Sequence, residues 1–432
     1  MRPVSKGDCA LPDSVRRCHV GPLRGPSASA GGAEAHGRLS RFSSSLLSVR
    51  DTMKYRYNSS PRPTVGVEEE YQICDPTSGD LVPRVNELMA HADEHTARFL
   101  AYDLIQGLIE AVTDVAETVD EAAADLAGKR QRVLAYAEAE GCTLGITGAH
   151  PYADPRKTEF VDTESYRWVR NQLRYVAGRN LSFGLHVHVG VDDAERAIYV
   201  ANRLRRWIGP LIAIAANSPF LDGVDTGWDS ARSVAFGSFP RSGVPPHLRS
   251  WAHYEQIMSG LQAAESIEKP RHVWWNVRPH PTFGTVEVRA CDVQMSLRRT
   301  AAIAALCQAL VVEYGNRHRA GEPEPDQDQE FLDDGRFKGM RFGLDATVID
   351  AETHEIMSMR EMAQIMVADA GEASASLGTE SHLKLLSEII DAGNGATYQR
   401  ALAKELGGDL VALQRRLLDE ARALVIEPDV VL

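Results

Sequence analysis

The chain contains the stretch Thr64-Val-Gly-Val-Glu-Glu-Glu-Tyr-Gln-Ile-Cys74, whose alternation of apolar and polar residues predicts a β-strand. Side chains of a strand point alternately to opposite faces, so Glu68 and Glu70 share one face while Glu69 points with Val67 to the other. Carboxylates side by side on a sheet repel each other. A hard divalent cation such as Mg²⁺, which prefers oxygen ligands, would remove that cost. The strand therefore predicts either a metal-binding face or a solvated polar face at the edge of a sheet.

A second stretch, Gly184-Leu-His-Val-His-Val-Gly190, repeats this two-faced pattern with histidines. His186 and His188 share one face of the predicted strand, and apolar residues share the other. Paired histidines fit metal ligands or phosphate contacts, and they also fit a pair of hydrogen-bonded structural residues. A zinc site is not supported, because the sequence has no HExxH motif and no third histidine or cysteine at close spacing.

A third stretch, Thr285-Val-Glu-Val-Arg289, places Glu287 and Arg289 on one face. The two can form a cross-strand ion pair, or Arg289 can neutralise a transferred phosphoryl group. Just upstream, every second residue of the segment 274–280, including Arg278, falls on one face. Three strands that each present charged residues on a single face predict a sheet that binds metal and phosphate.

Asp103 and Glu110 are seven residues apart in the segment before the first long predicted helix. If that segment is helical, both carboxylates lie on one face, two turns apart. Carboxylates at this spacing usually face water, so their spacing alone assigns them no role.

The remaining periodicity predicts an α+β fold with a mostly antiparallel catalytic sheet flanked by helices. Period-2 alternation predicts strands at 64–74 and 183–191, and on both sides of a turn within 274–292. Helices are predicted at 119–140, 165–180, 192–217, 296–314, 381–391 and 396–424, with Asp192 as the N-cap of the third. The proline-punctuated segment 217–249 predicts a loop.

The composition excludes some classes of protein and partner. The formal net charge of −13 argues against nucleic acid as a partner. No run of about 18 apolar residues occurs, so no membrane span is predicted. Six scattered cysteines without a CxxC pair are typical of reduced thiols in a cytoplasmic protein. The sequence does not fix the oligomeric state, and a homo-oligomer is one of the alternatives.

The first part of the chain differs from the rest. Residues 1–52 are rich in Ser, Gly, Ala, Pro and Arg, carry eight basic and four acidic residues, and show little apolar periodicity. We therefore expect residues 1–60 to be a disordered or non-structural extension and residues 61–432 to form the catalytic domain. A disordered tail, a translated region upstream of a start at Met53, and an organelle transit peptide all fit this composition.

Common nucleotide-binding and hydrolase motifs are missing from the sequence. It contains no Walker P-loop and no GxGxxG fingerprint, so a nucleotide is not held in either of those ways. It contains no GxSxG nucleophile elbow either.

Taken in order, several segments resemble the type 2 glutamate–cysteine ligase family, also called carboxylate–amine ligases. The matching stretches are Thr64–Tyr71, Gly148–Pro151, Gly184–Val191, Asn217–Phe220 with Asp225–Gly227, Trp274–Pro281, Phe283–Asp292 and Arg341–Asp345. The resemblance covers residues 63 to 423 and leaves the first 60 residues unmatched.

This resemblance implies a glutamine-synthetase-like catalytic sheet and a reaction that depends on ATP and Mg²⁺. ATP would phosphorylate the γ-carboxylate of glutamate, and the amine of cysteine or another small amine would attack the acyl phosphate. A carboxylate is a poor electrophile until one of its oxygens becomes a leaving group. Cations must neutralise the charge that gathers during phosphoryl transfer.

By motif match, the resemblance also implies three groups of site residues. The metal ligands would be Glu68, Glu70, Asp103, Glu110, His186 and Glu287. The catalytic phosphate contacts would be Arg289 and Arg232, and the substrate contacts would be Arg278, His188 and Thr113.

Three residues depart from the family pattern. Asn276 stands where Asp is expected, Leu108 where a polar residue is expected, and Gly335 where Asn is common. These changes bear on the identity of the amine more than on the ligase chemistry. A metal-dependent hydrolase and a non-catalytic nucleotide-binding relative would also fit the sheet. The absence of a compact zinc triad disfavours the first, and the retained carboxylates and arginines disfavour the second.

Overall fold

The computed structural model describes residues 55–428, so residues 1–54 of the predicted extension 1–60 lie outside the described residues. The strands are β1 (Val65–Cys74), β2 (Leu100–Ala101), β3 (Leu108–Val112), β4 (Thr143–Gly145), β5 (Gly184–Gly190), β6 (Phe220–Leu221), β7 (Val224–Asp225), β8 (Ser242–Gly243), β9 (Trp274–Trp275), β10 (Val277–His280), β11 (Thr285–Asp292), β12 (Thr347–Ile349) and β13 (Ile356–Ser358).

The helices are interspersed with these strands along the chain. They are α1 (Val85–His91), α2 (Val119–Ala139), α3 (Glu164–Leu173), α4 (Tyr175–Gly178), α5 (Ala194–Leu204), α6 (Ile208–Ala215), α7 (Ala231–Phe236), α8 (Trp251–Ala263), α9 (Leu297–Arg319), α10 (Gln329–Phe342), α11 (Met359–Asp369), α12 (Gly371–Leu377), α13 (Glu380–Ala392), α14 (Gly395–Glu405) and α15 (Leu410–Ile426).

Within the described residues, one sheet of seven strands organises the molecule. Its order is β10-β11-β5-β1-β3-β2, with β4 paired to the far end of β1, and every pairing in it is antiparallel. The prediction of an α+β fold with a mostly antiparallel sheet flanked by helices is therefore confirmed.

The apolar face of the sheet forms the main core. Valines of β1, β5 and β11 are buried there together with residues of α5, α6 and α9. Glu69 also points to this side, where Arg130 of α2 binds its carboxylate through hydrogen bonds of 2.8 and 2.7 Å. Thr300 of α9 donates a further bond of 2.7 Å to Glu69. Because a buried carboxylate needs such partners, Glu69 fixes two helices to the back of the sheet.

Three of the predicted helices are each divided in two. The predicted helix 192–217 is α5 and α6, separated by a 3₁₀ turn at Arg205–Trp207. The predicted helix 165–180 breaks at Arg174, where φ is +50°, and 396–424 breaks at Gly407 and Gly408, which also have positive φ. The left-handed region stops an α-helix, and glycine adopts it without strain. The helix periodicity was therefore right, but the turns within it were missed.

The N-cap of α5 also differs from the prediction. Asp193 caps the helix by accepting a bond of 2.9 Å from the backbone N–H of Arg196. Asp192 instead binds the side chains of Arg196 and Arg319. The segment 217–249, predicted as a loop, contains the hairpin β6–β7 and helix α7.

Helices α6 and α10 cross at very short range. A Cβ on Gly339 would lie 2.4 Å from the carbonyl oxygen of Gly209, and a Cβ on Gly209 would lie 2.6 Å from that of Gly335. Gly335 itself has open space on its side-chain side. The crossing therefore depends on the absence of side chains at Gly209 and Gly339.

Residues 55–60 pack against the folded unit, although we expected the extension to reach residue 60. The backbone N–H of Asn58 donates to Pro281 at 2.9 Å, and that of Ser60 donates to Val191 at 3.0 Å. The Tyr57 ring meets Trp251 edge to face, with 5.3 Å between ring centroids. This short segment therefore covers the turn between β10 and β11.

Candidate functional site

The polar face of the sheet gathers charged residues from adjacent strands. In the register, Glu68 of β1 lies opposite His186 of β5, and His188 lies opposite Glu287 of β11. Glu70 lies opposite Glu110 of β3. The alternation that the sequence predicts for β1, β5 and β11 is thus what brings these side chains together.

Glu68, His188 and Glu287 form a group that could hold a metal ion, with one ligand atom from each within 4.8 Å of the others. His188 Nε2 lies 3.2 Å from Glu68 Oε1 and 3.7 Å from Glu287 Oε1. On the other side of the ring, His188 Nδ1 lies 3.0 Å from the hydroxyl of Thr285, which fixes the ring orientation. Nε2 is buried and has no hydrogen-bond partner among the described residues.

A divalent cation fits this group. Burial opposes a charge on His188, but Glu287 and Glu68 raise its pKa. Burial also opposes ionisation of Glu68, but His188 and His186 lower its pKa. A cation bound by His188 Nε2 and both carboxylates would offset the repulsion between Glu68 and Glu287.

A second acidic group lies beside the first. It consists of Glu70, Glu110 and Asp103, and all three line one cavity with Glu68. Burial and the neighbouring Asp103 raise the pKa of Glu70 to about 7. Burial, Glu68 and Glu70 raise the pKa of Glu110 well above its usual range. These carboxylates lack enough positive charge around them, which is the situation that a bound cation relieves.

Asp103 and Glu110 are brought together by paired strands and not by the helix that their spacing suggested. Glu110 lies on β3 and Asp103 in the turn after β2, so the segment between them is not a helix with both residues on one face. The sheet brings them together because β2 and β3 pair with each other beside β1.

Two arginines bind the carboxylate of Glu287. Arg278, opposite Glu287 on β10, donates from Nε and from Nη2, and Arg289 donates from Nη1. Although burial favours the neutral form, Arg278 and Arg289 hold the pKa of Glu287 well below its usual range. Arg289 Nη1 also lies 3.4 Å from His186 Nδ1. Burial and Arg289 lower the pKa of His186 to about 4, so that imidazole is neutral at pH 7.

Arg232 reaches the same cavity from helix α7. Only 3% of the residue is exposed, and its guanidinium lies over Gly184, where a Cβ would be 2.1 Å from Nη2. A glycine at the start of β5 is therefore required for this arginine to enter. Its Nε has no hydrogen-bond partner among the described residues, so the guanidinium keeps donor capacity for a ligand.

The cavity has a volume of about 190 Å³ and joins most of the predicted residues. Its charged lining combines the carboxylates of Glu68, Glu70, Asp103 and Glu110 with His186 and the guanidinium groups of Arg232, Arg271, Arg278 and Arg289. Phe236, Phe239 and Trp274 form an aromatic wall. An anionic substrate and cations can therefore meet within one cavity.

Thr113 lies outside this cavity. Its hydroxyl accepts a bond of 2.9 Å from the backbone N–H of Val67, so its contact is with strand β1. His188, which we expected to contact substrate, lies in the group with Glu68 and Glu287. His186, expected among the metal ligands, lies 3.1 Å from Glu68 through Nδ1.

Asp292 is not among the residues that the sequence predicted for the site. This residue ends β11 and is 1% exposed. Its carboxylate accepts bonds from the backbone N–H of Asn217 and from the hydroxyls of Ser218 and Ser230, at 2.8, 2.6 and 2.8 Å. An aspartate that follows Val286, Val288 and Ala290 at every second position of β11 is the signal that could have identified it, because a buried carboxylate requires donors.

The three departures from the family pattern have separate surroundings. Asn276 accepts a bond of 3.0 Å from Arg336 Nε. Leu108 lies opposite Gln72 and is buried in the core beneath β1 and β3. Gly335 lies on α10 beside its crossing with α6.

No helix among residues 55–428 is both long and apolar enough to cross a lipid bilayer. The four cysteines in this part of the chain, Cys74, Cys142, Cys291 and Cys307, are buried free thiols.

An antiparallel sheet that lays carboxylates, imidazoles and guanidinium groups along one cavity is the arrangement expected of a carboxylate–amine ligase. Comparison with known proteins agrees. The sequence pattern of glutamate–cysteine ligase family 2 matches residues 64–417, and the chain belongs to that family.

Individual relatives agree with this assignment. A protein of Thermobifida fusca, provisionally named glutamate–cysteine ligase 2, is 35% identical over 375 residues, which cover 86% of this chain and 94% of that one. A protein of Rubrobacter xylanophilus, provisionally named glutamate–cysteine ligase 2-1, is 36% identical over 366 residues, which cover 84% and 96%. The crystal structure of glutamate–cysteine ligase from Francisella tularensis in complex with AMP has a TM-score of 0.66 at 12% identity, covering 86% of this chain and 92% of that chain. At this low identity, the structural likeness concerns the fold.

Proposed function

We propose that this enzyme joins the γ-carboxylate of L-glutamate to an amine at the expense of ATP, with L-cysteine as the first amine to test. The observation that carries the proposal is the single cavity in which four carboxylates face four arginines. That combination suits a reaction between anions, because both metal ions and guanidinium groups can neutralise the charge that develops.

The reaction has two steps. A carboxylate oxygen of glutamate attacks the γ-phosphorus of ATP, and ADP leaves with the electron pair of the broken P–O bond. The nitrogen lone pair of the amine then attacks the acyl carbon, phosphate leaves, and the amine loses a proton. Glutamate and ATP must therefore lie next to each other before the amine reacts.

The residues divide between these tasks. Glu68, His188 and Glu287 would hold one Mg²⁺, and Glu70, Glu110 and Asp103 would hold a second. Bound Mg²⁺ would supply charge neutralisation at the phosphate oxygens. Arg289 and Arg232 would contact the transferred phosphoryl group, because their planar guanidinium groups can donate two bonds to it.

The remaining predicted contacts have narrower roles. Arg278 would keep Glu287 ionised and oriented. His186 would stay neutral beside Arg289. Since the four described cysteines are buried free thiols, we also propose a reducing, cytoplasmic location.

The test is ADP release by the purified protein in the presence of Mg²⁺. We expect ADP only when glutamate and an amine are both supplied, with cysteine compared against a panel of small amines, and mass spectrometry should show a γ-glutamyl product. Glu287→Gln should abolish this turnover, whereas Glu94→Gln, at an exposed carboxylate, should leave it unchanged. Product formation without ATP, or hydrolysis of an amide with release of glutamate, would instead indicate a hydrolase.

A further inference from the structure

The hydrogen bonds around Asp292 connect strand β11 to the helix that carries Arg232. Asp292 Oδ2 accepts from the backbone N–H of Asn217 at 2.8 Å and from the hydroxyl of Ser218 at 2.6 Å. Its Oδ1 accepts from the hydroxyl of Ser230 at 2.8 Å. Asn217–Ser218 and Ser230 stand at the two ends of the segment that contains the hairpin β6–β7, and α7 begins directly after Ser230. One buried carboxylate thus fixes both ends of this segment.

Arg232 is tied to the same group. Its backbone N–H donates to the hydroxyl of Ser218 at 3.1 Å, and Nη1 lies 3.9 Å from Asp292 Oδ1. Ser230 is the N-cap of α7, so the bond from Ser230 to Asp292 sets where the helix begins. Each link places the Arg232 backbone relative to β11, the strand that also carries Glu287 and Arg289.

The surrounding glycines show that this arrangement needs the space it occupies. A Cβ on Gly148 would lie 2.6 Å from Cγ of Asp292. A Cβ on Gly184 would collide with the guanidinium of Arg232. Gly148 therefore leaves space for the carboxylate of Asp292, and Gly184 leaves space for the guanidinium of Arg232.

The distance between Asp292 and Arg232 indicates that Asp292 positions the segment that carries Arg232, and does not form a close ion pair with its guanidinium. At 3.9 Å the guanidinium is outside hydrogen-bond range of Asp292, and its Nε has no partner among the described residues. Asp292 instead accepts its short hydrogen bonds from Ser218, Ser230 and Asn217. The donors of Arg232 are thereby left for a ligand in the cavity.

We propose that Asp292 is a positioning residue for phosphoryl transfer, which acts by fixing Ser218 and Ser230 so that the Arg232 guanidinium lies over Gly184 toward the transferred group. This inference rests on the proposed function. Misplacing a contact by about 1 Å can cost about 100-fold in rate, so loss of Asp292 should be felt in the rate even though Asp292 lines no part of the cavity.

The test is a double-mutant cycle on kcat with Asp292→Asn and Arg232→Ala. Asn keeps the size of Asp but directs an amide donor at groups that are themselves donors. We expect Asp292→Asn to lower kcat by about 10- to 100-fold with little change in the KM for ATP. In an Arg232→Ala background, Asp292→Asn should cause almost no further loss, because its effect passes through Arg232.

A matched control separates this role from general stability. Asp350 is another fully buried aspartate, and it binds Arg206 away from the cavity. Asp350→Asn should lower the melting temperature while leaving kcat of the folded protein unchanged. If Asp292→Asn does not fold, Ser230→Ala removes one of the three bonds to Asp292 together with the N-cap of α7. It should show a smaller loss with the same non-additivity.

Two results would overturn the inference, and they differ. If the two losses in kcat multiply in the double variant, Asp292 does not act through Arg232. The ligase proposal would still stand in that case, because the wild-type protein turns over. If the wild-type protein forms no ADP with glutamate and any amine of the panel, the proposed function and the positioning role fail together.

Discussion

Arg289 illustrates how one side chain can serve both structure and chemistry. It binds Glu287, lies close to His186 and lines the cavity. Its Nε is buried without a partner among the described residues. A guanidinium that served only as an ion pair would have no need to face a cavity with a free donor.

We therefore expect Arg289→Ala to lower the single-turnover rate by about 100-fold or more and to weaken ATP binding much less, because the charge it meets develops during transfer. Arg289→Lys keeps the charge but loses the planar fork, so it should recover only part of the rate. Melting temperature and rate are measured on the same samples. A large loss of stability with a near-normal rate in the folded fraction would make Arg289 a structural residue.

His150 provides a pH-dependent test of the fold away from the charged cavity. Its Nε2 lies 2.8 Å from the carbonyl oxygen of Gly79, and Nδ1 accepts from the backbone N–H of Ala153 at 2.9 Å. Protonation of Nδ1 would abolish that acceptor, and burial lowers the pKa of His150 to about 4.

Because the folded pKa lies below the unfolded value of about 6.5, the unfolded chain takes up the proton first. The contribution of His150 to stability is therefore complete above pH 6.5 and is lost as the pH falls toward 4. Urea denaturation at pH 7, 5.5 and 4.5 measures it. His150→Asn can keep an acceptor without titrating, so its stability should fall less over this range, and equal losses would contradict the assignment.

At the residue level, much of the site was predictable because the period of a strand is 2. That rule correctly grouped Glu68 with Glu70, His186 with His188, and Glu287 with Arg289. It could not locate Asp103, which reaches the site from a turn. It also could not reveal Asp292, whose role depends on serines that are distant in sequence.

Sequence periodicity predicted where helices and strands lie, but it did not predict the turns that interrupt the helices. Helix α2 lies within one residue of the 119–140 that periodicity predicts, and its Thr118–Glu121 capping box fixes the start. The breaks at Arg174 and at Gly407–Gly408 depend on local φ values that an amphipathic pattern does not encode. The register between strands depends on pairing partners far apart in the sequence, so strand order was beyond reach.

The crossing of α6 and α10 gives a prediction at this scale. Gly339→Ala places a Cβ against the carbonyl oxygen of Gly209 and should cost about 1–3 kcal/mol in unfolding free energy. Gly335→Ala, one turn away on the same helix, meets no neighbour within 4 Å. It should be neutral or stabilise by up to about 1 kcal/mol, because Ala favours helix over Gly.

Both variants are compared with the wild type by urea denaturation, and equal stabilities would show that the helices can separate at no cost. The same pair bears on Gly335 as a departure from the family pattern. Its position has room for a side chain, so nothing in the packing requires glycine there.

At the scale of the whole molecule, the start of the folded unit can be located by truncation. A chain beginning at Met53 retains the contacts of Tyr57, Asn58 and Ser60, and should match the full chain in melting temperature and turnover. A chain beginning at Pro61 loses them and should melt at a lower temperature. Gly284, in the turn they cover, has room for no side chain because Asn58 packs against it.

Differential scanning calorimetry of the three chains decides the point. If the chain starting at Met53 melts well below the full chain, residues 1–52 contribute to the folded unit. If the chain starting at Pro61 is as stable as the full chain, the contacts of residues 55–60 are dispensable.

Glu70, Glu110 and Asp103 repel one another in the folded protein, so a cation that binds them should raise the melting temperature. Ligand binding can therefore be detected from thermal stability alone. Anything that binds the folded state and not the unfolded chain raises its stability, by about 2.7 kcal/mol at 100 times the dissociation constant. Melting scans with cations, nucleotides and amines, added singly and then together, would rank candidates before any product is sought. The amine that the enzyme uses in the cell could be recognised as the compound that protects only when the others are already present.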